Sequence, residues 1–297
     1  MSVSNKYLPK GITQAFYIIT MPVGTIPDLP GIAHLNNMPA SLDPPSSADV
    51  LTRHLVAALL AFLLFAALLS ALLSVPGLAQ WDASLSTTVQ GLRSQALDRF
   101  MLGVTMLGDL RLASALFLFI VADLLYRRRW KLLMHLLAAS LSAMASVSII
   151  KSQLARARPD VPSIVLDSFS FPSGHACTAA VTWGTIGLML ATGRSRATQR
   201  TIHIAALLTV LAIAFSRVYL QVHWPTDVIA GVALGYGLLA LFSWQLHRQP
   251  VQAMPSLVKL LLLTALVVSA YLASHYNTQA LRYDIAFRPD SIQTQAG

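Results

Sequence analysis

Three short segments of the sequence carry the side chains that could do chemistry. They combine cations, small residues beside a proline, and two histidines. In chain order the segments contain Lys151, Arg158 and Pro159; Pro172, Ser173, Gly174 and His175; and Ser216, Arg217, His223 and Asp227. An arginine side chain matches the oxygens of a phosphate group in a bidentate way. A serine and a glycine after a proline place a hydroxyl and accessible N–H groups at the beginning of a helix, where anions bind. The pattern is typical of a site for a phosphate group.

The two histidines add covalent and acid–base chemistry to that site. One imidazole can act as a nucleophile and the other as a proton donor. Asp227 follows His223 by four residues, so its carboxylate can hold that ring through one nitrogen. The other nitrogen is then free to attack phosphorus.

Each of these residues alone has a simpler explanation. Lys151 could extend its ammonium group to the membrane surface from a helix end, and Asp227 could favour a helix N-terminus. Because the spacing matches in all three segments, the probability that the simpler explanations hold for all of these residues falls to about one in twenty. Arg156, two residues before Arg158, has two open interpretations, a solvated side chain or a contact to the substrate phosphate. We expect its replacement by alanine to cost far less activity than that of Arg217.

The composition argues against a metal or cofactor. All 12 acidic residues are aspartates and few of them cluster, which is a poor basis for a magnesium or two-metal centre. The single cysteine, Cys177, excludes an internal disulfide framework and a multi-cysteine metal site. We interpret it as a small packing residue in a helix. The sequence predicts a site without metal or cofactor, in which three cations replace the metal.

The elements that must position these residues are membrane-spanning helices. Only 11% of the residues are charged and 55% are hydrophobic, with a mean hydropathy of +0.62, whereas a soluble domain carries about 25% charged residues. Residues 55–75 are 21 positions without a charge, which is long enough to cross the hydrocarbon core. The sequence predicts an all-α, polytopic transmembrane bundle with seven candidate spans, at 55–75, 101–126, 132–150, 174–193, 202–220, 228–246 and 257–273.

The basic residues predict the orientation of these spans. Clusters at 127–131 and 194–200 fall between spans two and three and between spans four and five, which places them in the cytoplasm. Such loops account for the net charge of +9. Since there is no long basic run with interleaved aromatic residues, we expect no nucleic-acid partner. Counting crossings puts Lys151, Arg158 and Arg217 on the other side, so we predict an active site on the non-cytoplasmic face of the cytoplasmic (inner) membrane.

Together the three segments resemble the signature of the type 2 phosphatidic acid phosphatase (PAP2) family, which also includes the vanadium haloperoxidases. The signature is Lys-x6-Arg-Pro, Pro-Ser-Gly-His and Ser-Arg-x5-His-x3-Asp, and all 11 fixed positions are present in order between Lys151 and Asp227. The resemblance covers roughly residues 81–246. It implies a core of six helices, so the apolar segment 257–273 is expected to be a seventh span.

The composition along the chain, together with the resemblance, predicts the division of the chain. We expect a mobile or interfacial tail at 1–50, a PAP2-like transmembrane phosphatase domain at 51–250, and an extra span with a short C-terminal tail at 251–297. The oligomeric state stays open.

Phosphate-ester hydrolysis without a metal, through a phosphohistidine, is the reaction that the resemblance implies. It makes His223 the nucleophile, Asp227 the residue that orients it and His175 the general acid that protonates the leaving oxygen. The implied phosphate-binding residues are Lys151, Arg158, Ser173, Gly174 and Arg217.

The implied partners are membrane lipids, and the implied substrate is a lipid phosphate. Polyprenyl diphosphate, phosphatidate, phosphatidylglycerol phosphate and lipid A are the candidates. Two other functions stay open, a lipid phosphotransferase that uses the same phosphohistidine and a non-enzymatic transporter or binding relative. A degenerate relative is expected to lack a motif histidine, and both are present here. We expect the gaps between the spans and a loop at 76–100 to set the specificity.

Overall fold

The structure is a computed structural model and describes residues 47–159, 168–244 and 257–283. Those residues contain nine helices and no strand, which confirms the prediction of an all-α fold. In chain order the helices are α1 Ser47–Ser74, α2 Gly77–Gln90, α3 Gln95–Met106, α4 Leu110–Tyr126, α5 Trp130–Leu154, α6 Gly174–Ala191, α7 Arg196–Tyr219, α8 Pro225–Ser243 and α9 Leu257–Arg282.

Six stretches of these helices are long and apolar enough to cross a membrane. They are most of α1, α3 together with α4, α5, α7, α8 and most of α9, so a multi-pass membrane fold is confirmed. The predicted fourth span, α6, is not among them. It has 18 residues, of which 12 are buried. Because other helices surround α6, it carries glycine and threonine where a lipid-facing helix carries leucine, and its crossing stays a prediction.

The structure adds a break to the predicted second span and shows that the predicted loop at 76–100 is wrong. The second span is two helices, because α3 ends at Met106 and α4 begins at Leu110. Asp109 caps α4, its Oδ1 accepting a hydrogen bond from the N–H of Arg111 at 2.8 Å. The expected loop at 76–100 consists mostly of α2 and the beginning of α3. These helices are rich in polar residues, so a search for apolar blocks does not detect them.

Helices α6 and α8 approach closely at the centre of the bundle. α6 packs against both α7 and α8, and α1 covers α8. A Cβ atom on Gly231 of α8 would lie 2.5 Å from the carbonyl oxygen of Ser173, and one on Gly235 would lie 2.6 Å from that of Cys177. Small residues four positions apart allow such close approach of membrane helices. Cys177 is buried in this contact, which confirms its interpretation as a packing residue.

The last helix, α9, runs between the two ends of the bundle. Near its beginning, Lys259 and Leu260 line a cavity together with Asp123 and Arg127 from the end of α4. At its other end it packs against α3, and Tyr283 reaches the ends of the helices that carry the predicted site. This course supports the prediction that the C-terminal apolar segment crosses the membrane.

Candidate active site

A cavity of about 210 Å³ lies where α5, α7 and α9 end and α6 begins. Six of the eight residues predicted from the sequence line it, namely Lys151, Arg158, Gly174, His175, Arg217 and His223. Ser173 and Asp227, the other two, are fully buried and are not part of the lining. The structure therefore brings the three sequence segments together around one space.

His223 lies in the short segment between α7 and α8, with 2% of its surface exposed. Its Nε2 is 3.2 Å from Nη1 of Arg158, and its Nδ1 is 3.4 Å from Oδ2 of Asp227. The second distance is longer than an ordinary hydrogen bond, but catalytic hydrogen bonds often tighten only when substrate binds. One ring nitrogen thus faces a carboxylate and the other faces a cation, as an oriented nucleophile for phosphorus requires.

Burial and nearby positive charge decide the protonation state of His223. Burial lowers the pKa of its imidazole well below the ordinary value, and the positive charges of Arg217, Arg158 and Lys151 lower this pKa further. The ring is therefore neutral at pH 7 and has an unshared electron pair on one nitrogen. A neutral imidazole can attack phosphorus, whereas a protonated one cannot.

Asp227 lies in the first turn of α8 and also satisfies the beginning of that helix. Its Oδ2 accepts a hydrogen bond from the N–H of Trp224 at 2.8 Å and another from the hydroxyl of Ser170. The simpler explanation for this residue, a preference for a helix N-terminus, therefore coexists with its position behind His223.

Ser173 is the N-cap of α6. Its Oγ accepts a hydrogen bond from the N–H of Ala176 at 3.4 Å, and its own N–H donates to the carbonyl oxygen of Asp227 at 2.9 Å. Its hydroxyl thus serves the helix end, and Gly174 is the member of this pair that lines the cavity. Pro172 precedes the cap and lies outside the helix.

Backbone carbonyls hold two of the cations at the cavity. Arg158 donates from Nε to the carbonyl oxygen of Ser168 at 2.7 Å and from Nη1 to that of Val222. Lys151 donates from Nζ to the carbonyl oxygen of Phe169. Carbonyl oxygens fix these side chains in place but do not neutralise them, so each keeps its net charge for a ligand.

Arg217 is the third cation, and it is only 2% exposed. Its Nη1 donates to the hydroxyls of Thr105 and Tyr283, both at 2.8 Å, while its Nε has no hydrogen-bond partner among the described residues. In the described part of the chain, Lys151, Arg158 and Arg217 form no ion pair with a carboxylate. Buried cations without a counter-charge are unfavourable, so the cavity is suited to an anion.

The structure also shows that both interpretations of Arg156 are wrong. Its side chain is 13% exposed and is not part of the cavity lining. Nη1 donates to Oδ1 of Asp227 at 2.5 Å, and Nη2 donates to Oδ2 of the fully buried Asp82 at 2.6 Å. Asp82 precedes Arg156 by 74 positions and lies in α2, where the sequence predicts a loop, so no sequence pattern indicates this pair.

Helix α9 contributes residues that the sequence motifs did not indicate. Gln279, Arg282 and Tyr283 line the cavity, although they lie outside the segment 81–246 that carries the family resemblance. Asp109 lines it too, while its carboxylate caps α4. The space is therefore bounded by more than the signature residues.

The described residues contain no group of three or more histidine, cysteine or acidic side chains that could hold a metal ion. The metal-free mechanism stays a prediction, which a chelator can test.

Comparisons with known proteins agree with the family resemblance. A family model described as the PAP2 superfamily matches residues 132–250. Phosphatidylglycerophosphatase B of Bacillus subtilis is 31% identical over 182 residues, which are 60% of this chain and 89% of the relative. An undecaprenyl-diphosphatase of Sulfolobus acidocaldarius is 28% identical over 144 residues, which are 46% of this chain and 66% of the relative.

A solved structure shares the fold. The crystal structure of a transmembrane PAP2-type phosphatidylglycerolphosphate phosphatase from Bacillus subtilis superimposes with a TM-score of 0.56 at 31% sequence identity. The match covers 63% of this chain and 94% of that one. With its signature residues gathered around one cavity and relatives matched over most of their length, this chain belongs to the PAP2 superfamily and is a multi-pass membrane phosphatase.

Proposed function

We propose that this protein hydrolyses the phosphate ester or diphosphate of a membrane lipid through a phosphohistidine on Nε2 of His223. The observation that carries the proposal is the ring of His223, with Nδ1 beside Asp227 and Nε2 beside Arg158, at a cavity lined by three cations that have no carboxylate partner in the described residues. Phosphoryl transfer depends mostly on positioning and on stabilisation of negative charge. The cavity supplies both.

In the first step, Nε2 of His223 attacks phosphorus, and the bond from phosphorus to the leaving oxygen breaks. The electron pair of that bond stays on the leaving oxygen, and His175 donates a proton to it, so this step requires the protonated form of His175. Positive charge develops on the imidazole, and the carboxylate of Asp227 beside Nδ1 stabilises it. Lys151, Arg158 and Arg217 stabilise the charge on the phosphoryl oxygens.

In the second step, His175 accepts a proton from water, and the oxygen of that water attacks phosphorus. The bond between phosphorus and Nε2 breaks, and inorganic phosphate leaves. A lipid hydroxyl in place of this water would make the enzyme a phosphotransferase. Product analysis with and without an acceptor lipid distinguishes the two reactions.

An apolar groove beside the cavity supports a lipid as the substrate. This groove of about 110 Å³ lies between α4, α5 and α6. Leu110, at one end of it, follows the cavity residue Asp109, and Thr178 lies three positions after His175. Two relatives are named as a phosphatidylglycerophosphatase and an undecaprenyl-diphosphatase. Both names state a lipid phosphate as the substrate, which supports the same substrate class here.

The site is proposed to face the non-cytoplasmic side of the inner membrane. Basic residues at 127–131 lie between α4 and α5, at the end of α5 opposite Lys151, and basic loops of this kind favour the cytoplasm. Because Tyr283 at the end of α9 contacts Arg217, a topology reporter fused after Gly297 is expected to be active outside the cytoplasm. A reporter active only in the cytoplasm contradicts this orientation.

The experiment uses purified protein in detergent with a chelator and lipid substrates labelled with ³²P. Wild-type protein is expected to turn over and to carry a label that is stable in alkali and lost in acid, as a phosphohistidine is. His223→Ala is expected to carry no label. Activity that disappears with the chelator and returns with Mg²⁺, or a label that persists in His223→Ala, contradicts the mechanism.

The groove gives a separate test of the lipid substrate. Ser114 is exposed at the rim of the groove on α4, so Ser114→Trp should obstruct a hydrocarbon chain. We expect a lower kcat/KM for lipid phosphates and unchanged hydrolysis of p-nitrophenyl phosphate. Ala122→Trp is the matched control, because Ala122 is exposed two turns further along α4 and outside the groove. Equal losses on both substrates would show that the groove does not hold the lipid.

A further inference from the structure

A buried chain of charges lies directly behind the catalytic histidine. Arg156 bridges two carboxylates, with Nη1 2.5 Å from Oδ1 of Asp227 and Nη2 2.6 Å from Oδ2 of Asp82. Both carboxylates are fully buried. Arg156 also lies over the ring of Trp224, 5.7 Å from its centroid.

Asp82 holds the first turn of α8 as well as Arg156. Its Oδ1 accepts a hydrogen bond from the N–H of Thr226 at 3.0 Å, and its Oδ2 accepts one from the hydroxyl of Thr226 at 2.6 Å. Arg156 donates to the same hydroxyl at 2.8 Å. Thr226 immediately precedes Asp227. Asp82 in α2 and Arg156 in the segment after α5 therefore both hydrogen-bond to the residue next to the carboxylate that faces His223.

The two oxygens of Asp227 have separate partners. Oδ1 receives Arg156, whereas Oδ2 receives the N–H of Trp224 and the hydroxyl of Ser170 and faces Nδ1 of His223. Rotation of the carboxylate would break bonds on both sides at once. Oδ2 is therefore held toward the histidine by contacts that the substrate does not make.

Arg156 also supplies the charge that a buried carboxylate needs. An ionised carboxylate in a protein interior is strongly unfavourable without a paired cation. The other nearby cations line the cavity, where a bound phosphate competes for them. Arg156 is outside the cavity lining, so its pairing with Asp227 persists whether or not the cavity is occupied.

We propose that Arg156 and Asp82 are positioning residues for phosphoryl transfer, which hold the carboxylate of Asp227 turned toward Nδ1 of His223. The inference rests on the proposed function. Neither residue touches the substrate, and both act through Asp227. The two ion pairs connect Asp82, Arg156 and Asp227. They therefore join α2, the segment after α5 and α8.

A second buried ion pair provides a matched control. Arg93 donates from Nε to Oδ1 of Asp98 at 3.1 Å and from Nη2 to Oδ2 at 3.0 Å. The two side chains are 17% and 6% exposed, close to the values for Arg156 and Asp82. This pair is outside the cavity lining and has no contact to Asp227 or His223. Arg93→Gln therefore reports what loss of a buried arginine costs when its carboxylate partner contacts Tyr219 and not the histidine.

The test measures kcat and KM for a lipid phosphate, the single-turnover rate of phosphohistidine formation, and the thermal midpoint in detergent. Arg156→Gln is expected to lower kcat and the phosphorylation rate by about 10–100-fold, as loss of an outer-shell partner does elsewhere, with KM nearly unchanged. Arg156→Lys should recover part of that loss, because it keeps the charge but cannot bridge both carboxylates. Arg93→Gln should lower the thermal midpoint comparably and leave kcat unchanged.

A double-mutant cycle separates positioning from general stability. In the background of Asp227→Asn, Arg156→Gln should cost little further activity, since the group that it positions is already gone. The proposal would be overturned if the activity losses of Asp227→Asn and Arg156→Gln multiplied in the double mutant. It would also be overturned if Arg156→Gln raised KM at unchanged kcat, or if Arg156→Gln and Arg93→Gln lost equal activity.

Two measures keep the inference falsifiable. If Arg156→Gln does not fold, Asp82→Asn takes its place in the same cycle, since it keeps the size of the side chain and leaves Arg156 paired with Asp227. Wild-type turnover without a phosphohistidine would refute the proposed function. A wild-type phosphohistidine that forms at an equal rate in Arg156→Gln would refute only the positioning roles.

Discussion

Arg156 and Arg158 are two residues apart in the segment after α5, and they have opposite kinds of partner. Arg158 donates to the carbonyl oxygens of Ser168 and Val222 and keeps its net charge. Arg156 donates to the carboxylates of Asp82 and Asp227, which neutralise it. The difference teaches that the partner of a buried arginine decides its use. Neutral partners leave the cation available to a phosphate, whereas carboxylates commit it to holding the protein's own groups.

The largest test of this comparison removes the histidine that lies between the cavity cations and the carboxylate network. His223→Ala should abolish turnover of every phosphate ester, because no phosphoenzyme can form. His175→Ala should lose about 10²–10⁴-fold on a lipid monophosphate, whose alkoxide needs a proton. It should retain much more activity on p-nitrophenyl phosphate, whose leaving oxygen hardly needs one.

The measurement is a pre-steady-state burst of nitrophenol, because water activation by His175 could limit later turnovers. His175→Ala should show the burst, and His223→Ala should not. The reverse pattern would exchange the two roles.

The next test removes one cation from the cavity side. Arg217→Ala should lower kcat/KM by about 10²–10³-fold, since a preorganised donor to transition-state charge is worth about 3–4 kcal/mol. Unlike Arg156→Gln, it should also raise KM, because Arg217 is proposed to contact the phosphate in the bound state. Arg99→Ala is the control, as an exposed cation of α3 outside the cavity lining. A small loss with unchanged KM would remove Arg217 from the phosphate site.

The pH dependence sharpens the same comparison. Burial and the charges of Arg217, Arg158 and Lys151 lower the pKa of His223, so the nucleophile stays deprotonated as the pH falls through 6.5. We expect kcat/KM, corrected for ionisation of the substrate, to decline only at more acidic pH. In Arg217→Ala the decline should move toward higher pH, because one positive charge is gone. Asp227 and His175 also face this ring, so each variant needs its full pH profile. If kcat/KM of the wild type already declined at or above pH 6.5 as the pH falls, this would contradict a neutral imidazole at His223.

The smallest effect concerns the contact that α9 makes with the cavity. Tyr283→Phe removes one hydroxyl from Arg217, so we expect a loss of about 1 kcal/mol, a few-fold in kcat/KM. Tyr276→Phe is the control on the same helix, because the Tyr276 hydroxyl donates to the carbonyl oxygen of Arg99, away from the cavity. Equal effects of the two variants would indicate that α9 only packs.

Local sequence patterns predict the part of the site that local structure decides. The spacing of His223 and Asp227 fits one turn at the beginning of α8, and Gly174 and His175 follow a cap residue. Such relations depend on a few neighbouring residues, so they can be read from the chain. The membrane helices were predictable for a similar reason, since the bilayer requires long apolar stretches.

Contacts between distant segments could not be predicted in this way. Asp82 and Arg156 meet because α2 packs beside the first turn of α8, and polar α2 gives no apolar signal. The expectation that Arg156→Ala costs far less activity than Arg217→Ala stays a prediction, while the pairing of Arg156 with Asp227 is visible only in the structure. The break between α3 and α4 also escaped prediction, because the apolar stretch continues across it while Asp109 caps the second helix.

The close approach of α6 and α8 shows how the geometry of the site can depend on a glycine, which has no side chain to separate the two helices. The cap of α6 stands two residues before His175, and the backbone of that cap is bonded to Asp227. The distance between His175 and His223 is therefore set partly by the lack of a side chain at Gly231, where a Cβ would lie 2.5 Å from the carbonyl oxygen of Ser173. One added methyl group there would act as a wedge, altering the alignment of the two histidines without touching either of them.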